Sequence, residues 1–182
     1  MKSVKRFSFI VAAITVIAFF GACAGTSTGG GEPLQIGAEV YSLATDSELG
    51  AVGSTFQGSG RFLGAGAATL TIVDNGGNKA IQVSGRSEDW HSLDIRNFSR
   101  LQEGNYTITV TGRAESGATV KLSQVERPWD TFVEATAEGN GAFSLTHTFD
   151  HATLRREGRI RIQTEASIGD FYIYSLTIVF AG

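Results

Sequence analysis

The chain has 182 residues, 15 of them lysine or arginine against 18 aspartate or glutamate; it is 42% hydrophobic and carries 23 glycines, 2 prolines and 1 cysteine. That length suffices for one domain with a sizeable core. The acidic balance argues against a nucleic-acid partner, whose phosphates call for net positive surface, and a single cysteine cannot form an internal disulfide.

Lys2, Lys5 and Arg6 precede an uncharged apolar run from Phe7 to Phe20, which reads as a bacterial export signal. At about fourteen residues the run is shorter than the roughly 20 that a spanning helix needs. Its end, "FGAC", sets Gly21 and Ala22 directly before Cys23 and resembles a lipoprotein signal, although Phe20 stands where an aliphatic residue is usual. The alternative is ordinary cleavage near "ACA", which would release a soluble secreted protein. Residues 1–22 are therefore expected to be removed and Cys23 to carry lipid, placing the protein on a membrane at the cell surface or in the periplasm. Without Lys2, Lys5 and Arg6, 12 basic residues face 18 acidic ones. An acidic protein should not prefer acidic polysaccharides.

Residues 23–33 follow as the attachment cysteine and a Gly/Ser/Thr tether, "AGTSTGGGE". As a flexible coil it would reach on the order of 18 Å. The folded domain is expected over 34–182.

Within it, "ATLTIVDNGGNKAIQVSG" holds two alternating runs around Asn75-Gly76-Gly77, a hairpin signal because those residues accept positive φ cheaply. "YTITVTGRAE" and "TVKLSQVE" are expected to pair across "SGA". Asn140-Gly141 separates "TFVEATAE" from "AFSLTHTF", and "RIRIQTE" with "FYIYSLTIVF" closes the chain. Ile160 and Ile162 alternate with Arg159, Arg161 and Gln163, which suits a sheet with one buried face. No segment of ten or more residues after the signal has helical periodicity. Nine or ten short strands predict an all-β antiparallel sandwich, a jelly roll. The final run should be a central strand, with a sticky edge as the alternative.

"GRSEDWHSL" spends Trp90, one of 2 tryptophans, beside Arg86, Glu88, Asp89 and His91, where a loop is expected. Together with "LQEGNYTITVTGRA" and "IQTEASIGDFYIYSLTI", this stretch resembles the family 22 carbohydrate-binding modules and, more broadly, the related families 4 and 9. The resemblance covers about 35 to 182. It implies a jelly roll that binds xylan without catalysis, in a groove on its concave sheet. The family's groove arginine falls on Arg61, its stacking tryptophan on Trp90 and its sugar-binding glutamate on Glu165. A tyrosine two residues before that glutamate is Gln163 here, and the tyrosine of the middle strand aligns with Phe132, with Trp129 close enough to substitute.

These residue types suit sugars. An aromatic ring covers the apolar face of a pyranose, while Arg61 supplies fixed donors and Glu165 acceptors to the hydroxyls. Arg86 could instead be a structural partner of Glu88, Asp89 or Asp94. Two departures stand out: Ser92 follows "WH" where the family has glycine, and Tyr174-Ser175 replaces an Asp pair. Structural calcium in these sandwiches often uses that region, so only Asp170 is left to it and a bound calcium is not expected. No other cofactor is implied.

His147 and His151 lack a third ligand and a helix to align them, so they do not read as a metal site. There is no Gly-x-Ser-x-Gly and no phosphate loop. A carboxylate pair such as Glu134 and Glu165 could act as acid and base, but nothing in the spacing selects it. The expected partner is thus a β-1,4-linked polysaccharide, xylan first, bound by a monomer. The other readings are a sandwich that meets another protein or, less favoured, a small glycoside-active enzyme.

Overall fold

The structure, a computed structural model, describes residues 32–182; the expected export signal, Cys23 and nearly all of the expected tether lie outside the described residues. Pro33–Gly182 form one compact unit. Among the described residues no helix is long and apolar enough to cross a membrane.

Thirteen strands make up the fold: β1 (Glu39–Ser42), β2 (Thr55–Phe56), β3 (Gly58–Ser59), β4 (Phe62–Ala65), β5 (Thr69–Asn75), β6 (Asn78–Ser84), β7 (Ser92–Arg96), β8 (Asn105–Arg113), β9 (Thr119–Gln124), β10 (Thr131–Thr136), β11 (Ala142–Asp150), β12 (Arg159–Glu165) and β13 (Phe171–Phe180). A short 3₁₀ turn (Leu43–Thr45) and one helix, α1 (His151–Glu157), complete it. All pairings are antiparallel. One sheet runs β11-β8-β13-β6-β5-β2, with β1 also on β13, and the other runs β10-β9-β12-β7-β4-β3. This is the expected jelly-roll sandwich.

The alternation explains both layers. In β8, Tyr106, Ile108 and Val110 are buried while Thr107, Thr109 and Thr111 look outward; in β12, Ile160 and Ile162 are buried, Ile162 opposite Leu122 of β9. Side chains of the two inner faces, among them Phe62, Leu70, Ile72, Leu93, Ile95 and Phe171, form one core. Burying each such side chain contributes roughly 1.5–3 kcal/mol, enough to hold the sheets face to face without a disulfide.

β13 is central, between β8 and β6. Phe171, Ile173, Leu176 and Ile178 point into the core, and a bulge between Ile173 and Ser175 restores that phase before Leu176. The β5–β6 hairpin forms as expected: Asn75 pairs with Asn78, and Gly76 and Gly77 take φ of 64° and 89°, which a side chain would resist.

The expected β8–β9 hairpin does not form. β8 pairs with β11 and β13, whereas β9 pairs with β10 and β12. The "SGA" turn carries the chain from one sheet to the other, with its own Ala118 and the nearby Ala114 both buried. The Asn140-Gly141 turn likewise leads from β10 in one sheet to β11 in the other.

Helix α1 escaped the periodicity test because it has only seven residues. Its ends are nonetheless written in sequence. Asp150 caps the start, accepting from Thr153 N–H and Thr153 Oγ1 at 2.8 Å each, and Gly158 closes it in the left-handed region at φ 65°.

Candidate functional site

Two loops rise at the outer face of the second sheet. The β6–β7 loop carries Trp90 and the β9–β10 loop carries Trp129; these are 46% and 57% exposed, unlike the large side chains of the core. Because β12 lies between β7 and β9, the two tryptophans flank it from opposite sides. They line a hollow of about 450 Å³ with Lys121, Ser123, Gln124, Arg161 and Gln163. The floor is the polar half of the alternation: Lys121 and Ser123 of β9, Arg161 and Gln163 of β12, all on the face opposite Leu122 and Ile162.

Each group is held. Asp94 of β7 is completely buried and receives Arg161 Nε at 2.9 Å and Arg161 Nη2 at 3.3 Å, a forked pair, with Arg159 Nη1 at 3.5 Å. The fork fixes the Arg161 plane and leaves Nη1 outside both bonds. Lys121 Nζ lies 3.3 Å from Glu165 Oε2, so an ammonium with three donors spends one on its neighbour. Ser123 Oγ is buried beneath these side chains without a hydrogen-bond partner.

The walls are held too. The Arg127 guanidinium sits over the Trp129 ring, 4.9 Å from its centroid, and covers one face. Trp90 meets the buried His91 ring edge-on, with centroids 4.3 Å apart at 77°. His91 Nδ1 accepts from Ser87 N–H at 3.2 Å, which leaves the ring proton of the neutral form on Nε2. Gly66, at φ 64°, leaves room for that ring: a Cβ there would overlap His91.

Of the residues expected from sequence, the structure brings Trp90, Trp129 and Gln163 together in this groove. Glu165 stands just past it through its bond to Lys121. Phe132 is elsewhere. It is the extra residue of a bulge in β10, and its ring packs inward against Phe149 at 4.8 Å and His147 at 5.7 Å. Arg61 is elsewhere as well: it lines a separate hollow of about 580 Å³ with Tyr41, Asp46, Glu48, Asn97 and Arg100. There its guanidinium lies 4.6 Å from the Tyr41 ring centroid and reaches Arg96 O at 3.4 Å. Burial lowers the Arg61 pKa, and burial together with the hydrogen bond to Asp46 raises that of Tyr41.

Asp94, Lys121, Ser123, Gln124 and Arg161 were not singled out by sequence. Lys121, Ser123 and Arg161 sit on the polar phase of "TVKLSQ" and "RIRIQTE", which reads equally well as ordinary solvated surface; Gln124 at the end of β9 and Asp94 in β7 fall outside that phase. Arg86 bonds to backbone carbonyls and not to Glu88, Asp89 or Asp94 side chains. Asp170 accepts from Gln82 Nε2 at 2.7 Å. Among the described residues no group of three or more His, Cys, Asp or Glu side chains could hold a metal ion.

The family model for a carbohydrate binding domain of the 4/9 type matches residues 54–168, more than half of the chain. The chain belongs to this family. The match spans Trp90, Trp129 and the whole groove floor of the module. Among solved structures, the xylan-binding family 22 module of Paenibacillus barcinonensis Xyn10C superposes with a TM-score of 0.56 at 12% identity, over 82% of this chain and 98% of that one. The C-terminal family 22 module of Clostridium thermocellum Xyn10B gives 0.51 at 18% identity, over 68% and 87%. At such identities these likenesses bear on the fold alone. No curated protein sequence matches the module significantly.

Proposed function

We propose that the module binds β-1,4-linked polysaccharide, xylan first, in the groove between Trp90 and Trp129, without catalysis, while a lipid on Cys23 holds it to a membrane. The observation that carries this reading is the pair of half-exposed indoles flanking a polar floor. Apolar sugar faces stack on the rings, and hydroxyls that lose water are paired again by Arg161, Lys121, Gln163 and Gln124. The xylan-binding neighbour of the same fold supports the choice of glycan.

In this reading Trp90 and Trp129 supply the stacking faces, and Arg161, braced by Asp94, takes the part that the resemblance gives to Arg61. An open groove with a few such contacts binds weakly, with Kd of about 10⁻³ to 10⁻⁵ M. Glu165, 52% exposed on its side chain and bound to Lys121, acts by orienting the ammonium. Affinity electrophoresis in gels holding xylan, β-glucan or no polymer tests the reading: retardation is expected in xylan above all. Equal mobility in every gel would favour a protein partner.

A further inference from the structure

The stretch "GRSEDWH" contains a buried cation with an unusual set of partners. Arg86 is 8% exposed, and its guanidinium makes no ion pair within 4 Å among the described residues. It bonds instead to four peptide carbonyls. Nε donates to His91 O, Nη2 to Asp89 O at 2.9 Å and Thr164 O at 3.4 Å, and Nη1 to Gly169 O at 2.8 Å. The Phe171 ring lies on it, 5.1 Å from its centroid.

Asp89 and His91 are the two residues that flank Trp90, so one planar fork holds the carbonyl just before Trp90 and the carbonyl of the residue just after it. Thr164 and Gly169 belong to β12 and the β12–β13 connection, so the same fork ties the Trp90 loop to the segment that carries Glu165. A buried charge with no ion pair in direct contact is costly unless its hydrogen bonds are satisfied. Here they are satisfied by carbonyls from two segments, an arrangement that a flexible ammonium cannot reproduce.

We infer that Arg86 is a positioning residue for glycan binding: it touches no sugar, but pre-sets the Trp90 ring and locks it to the Glu165 segment. The His91 ring, seated over Gly66, supports Trp90 from the other side. The inference rests on the proposed role of Trp90 but makes a claim about the unliganded protein that can be read separately.

The test uses Arg86→Met and the milder Arg86→Lys, each also placed in a Trp129→Phe background so that Trp90 is the sole tryptophan. Acrylamide quenching of Trp90 should rise in both variants without any glycan present. With Trp129 retained, affinity for xylo-oligosaccharide should fall about tenfold, the cost of losing a pre-set platform. A merely structural residue would lower the melting temperature and leave quenching and low-temperature affinity unchanged. That result in either folded variant would overturn the inference, and if Arg86→Met does not fold, Arg86→Lys decides. Should the wild type bind no glycan while quenching rises, the positioning of Trp90 stands and the functional reading falls.

Discussion

Replacing Trp90 by alanine removes the stacking face and little else. An indole side chain presents on the order of 250 Å², so 46% exposure leaves roughly 110 Å² open to a ligand. A pyranose covers one face, about half of that area, and at about 25 cal/mol per Å² the stacking contributes ~1.4 kcal/mol. Kd should therefore rise about tenfold. From a starting point in the weak range, that is enough to abolish retardation in a xylan gel. Because half of the ring is already in water, Trp90→Ala should cost far less stability than a core truncation, which runs about 3–5 kcal/mol for Phe or Trp. Isothermal titration with xylo-oligosaccharide and a thermal melt of the same variant read both quantities. A folded Trp90→Ala protein with wild-type affinity would refute the stacking account. Trp129→Ala should lose a similar amount, less if the ligand meets only the face that Arg127 leaves open.

Arg61→Ala should leave xylan affinity unchanged and lower stability by about 1 kcal/mol, the worth of a partly desolvated cation over the Tyr41 ring; chemical denaturation and titration separate the two. Among the described residues, Asp94→Asn takes away the one carboxylate bound to Arg161, whose side chain is 11% exposed, while Arg159 at 39% can return to water. The cost should be near the low end of the ~3–5 kcal/mol for breaking a buried pair, with weaker glycan binding as Arg161 loses its orientation, both measurable by denaturation and titration. Asp150 is held below the usual carboxylate range, first by the Thr153 N–H and then by its hydroxyl. Its folded pKa lies below its unfolded one, so its contribution to stability is present at neutral pH and is lost as pH falls through the folded pKa. Asp150→Ala should melt below wild type at pH 7, the gap closing as acid is added.

The strands were legible because their signal is local. Period-two alternation and the Asn75-Gly76-Gly77 turn need no knowledge of the rest of the chain, and they give β5, β6 and the buried faces of β8 and β12. Which strands pair is not local. The "SGA" turn looks like a hairpin, and only the strand pairing shows that it crosses from sheet to sheet. The same limit governs the site. Trp90 and Trp129 stand out as large aromatics in polar loops, whereas Gln163 was reached only through the family resemblance, two residues before Glu165. Arg61 lies outside the groove, because its distance in sequence from Trp90 does not say which hollow it lines. Phe132 lies outside it as well, because a bulge in β10 turns its ring inward. Arg161 became distinguishable from a solvated arginine only when register placed Asp94 opposite it on β7.

The central claim is that glycan lies between the two tryptophans, and a heteronuclear NMR titration of the ¹⁵N-labelled protein with xylohexaose tests it most directly. The indole Nε1–H signals of Trp90 and Trp129 should move together with the amides of residues 121–124 and 161–163, while those around Tyr41 and Arg61 stay still. Movement confined to the Tyr41 and Arg61 hollow, or none at saturating oligosaccharide, would contradict it.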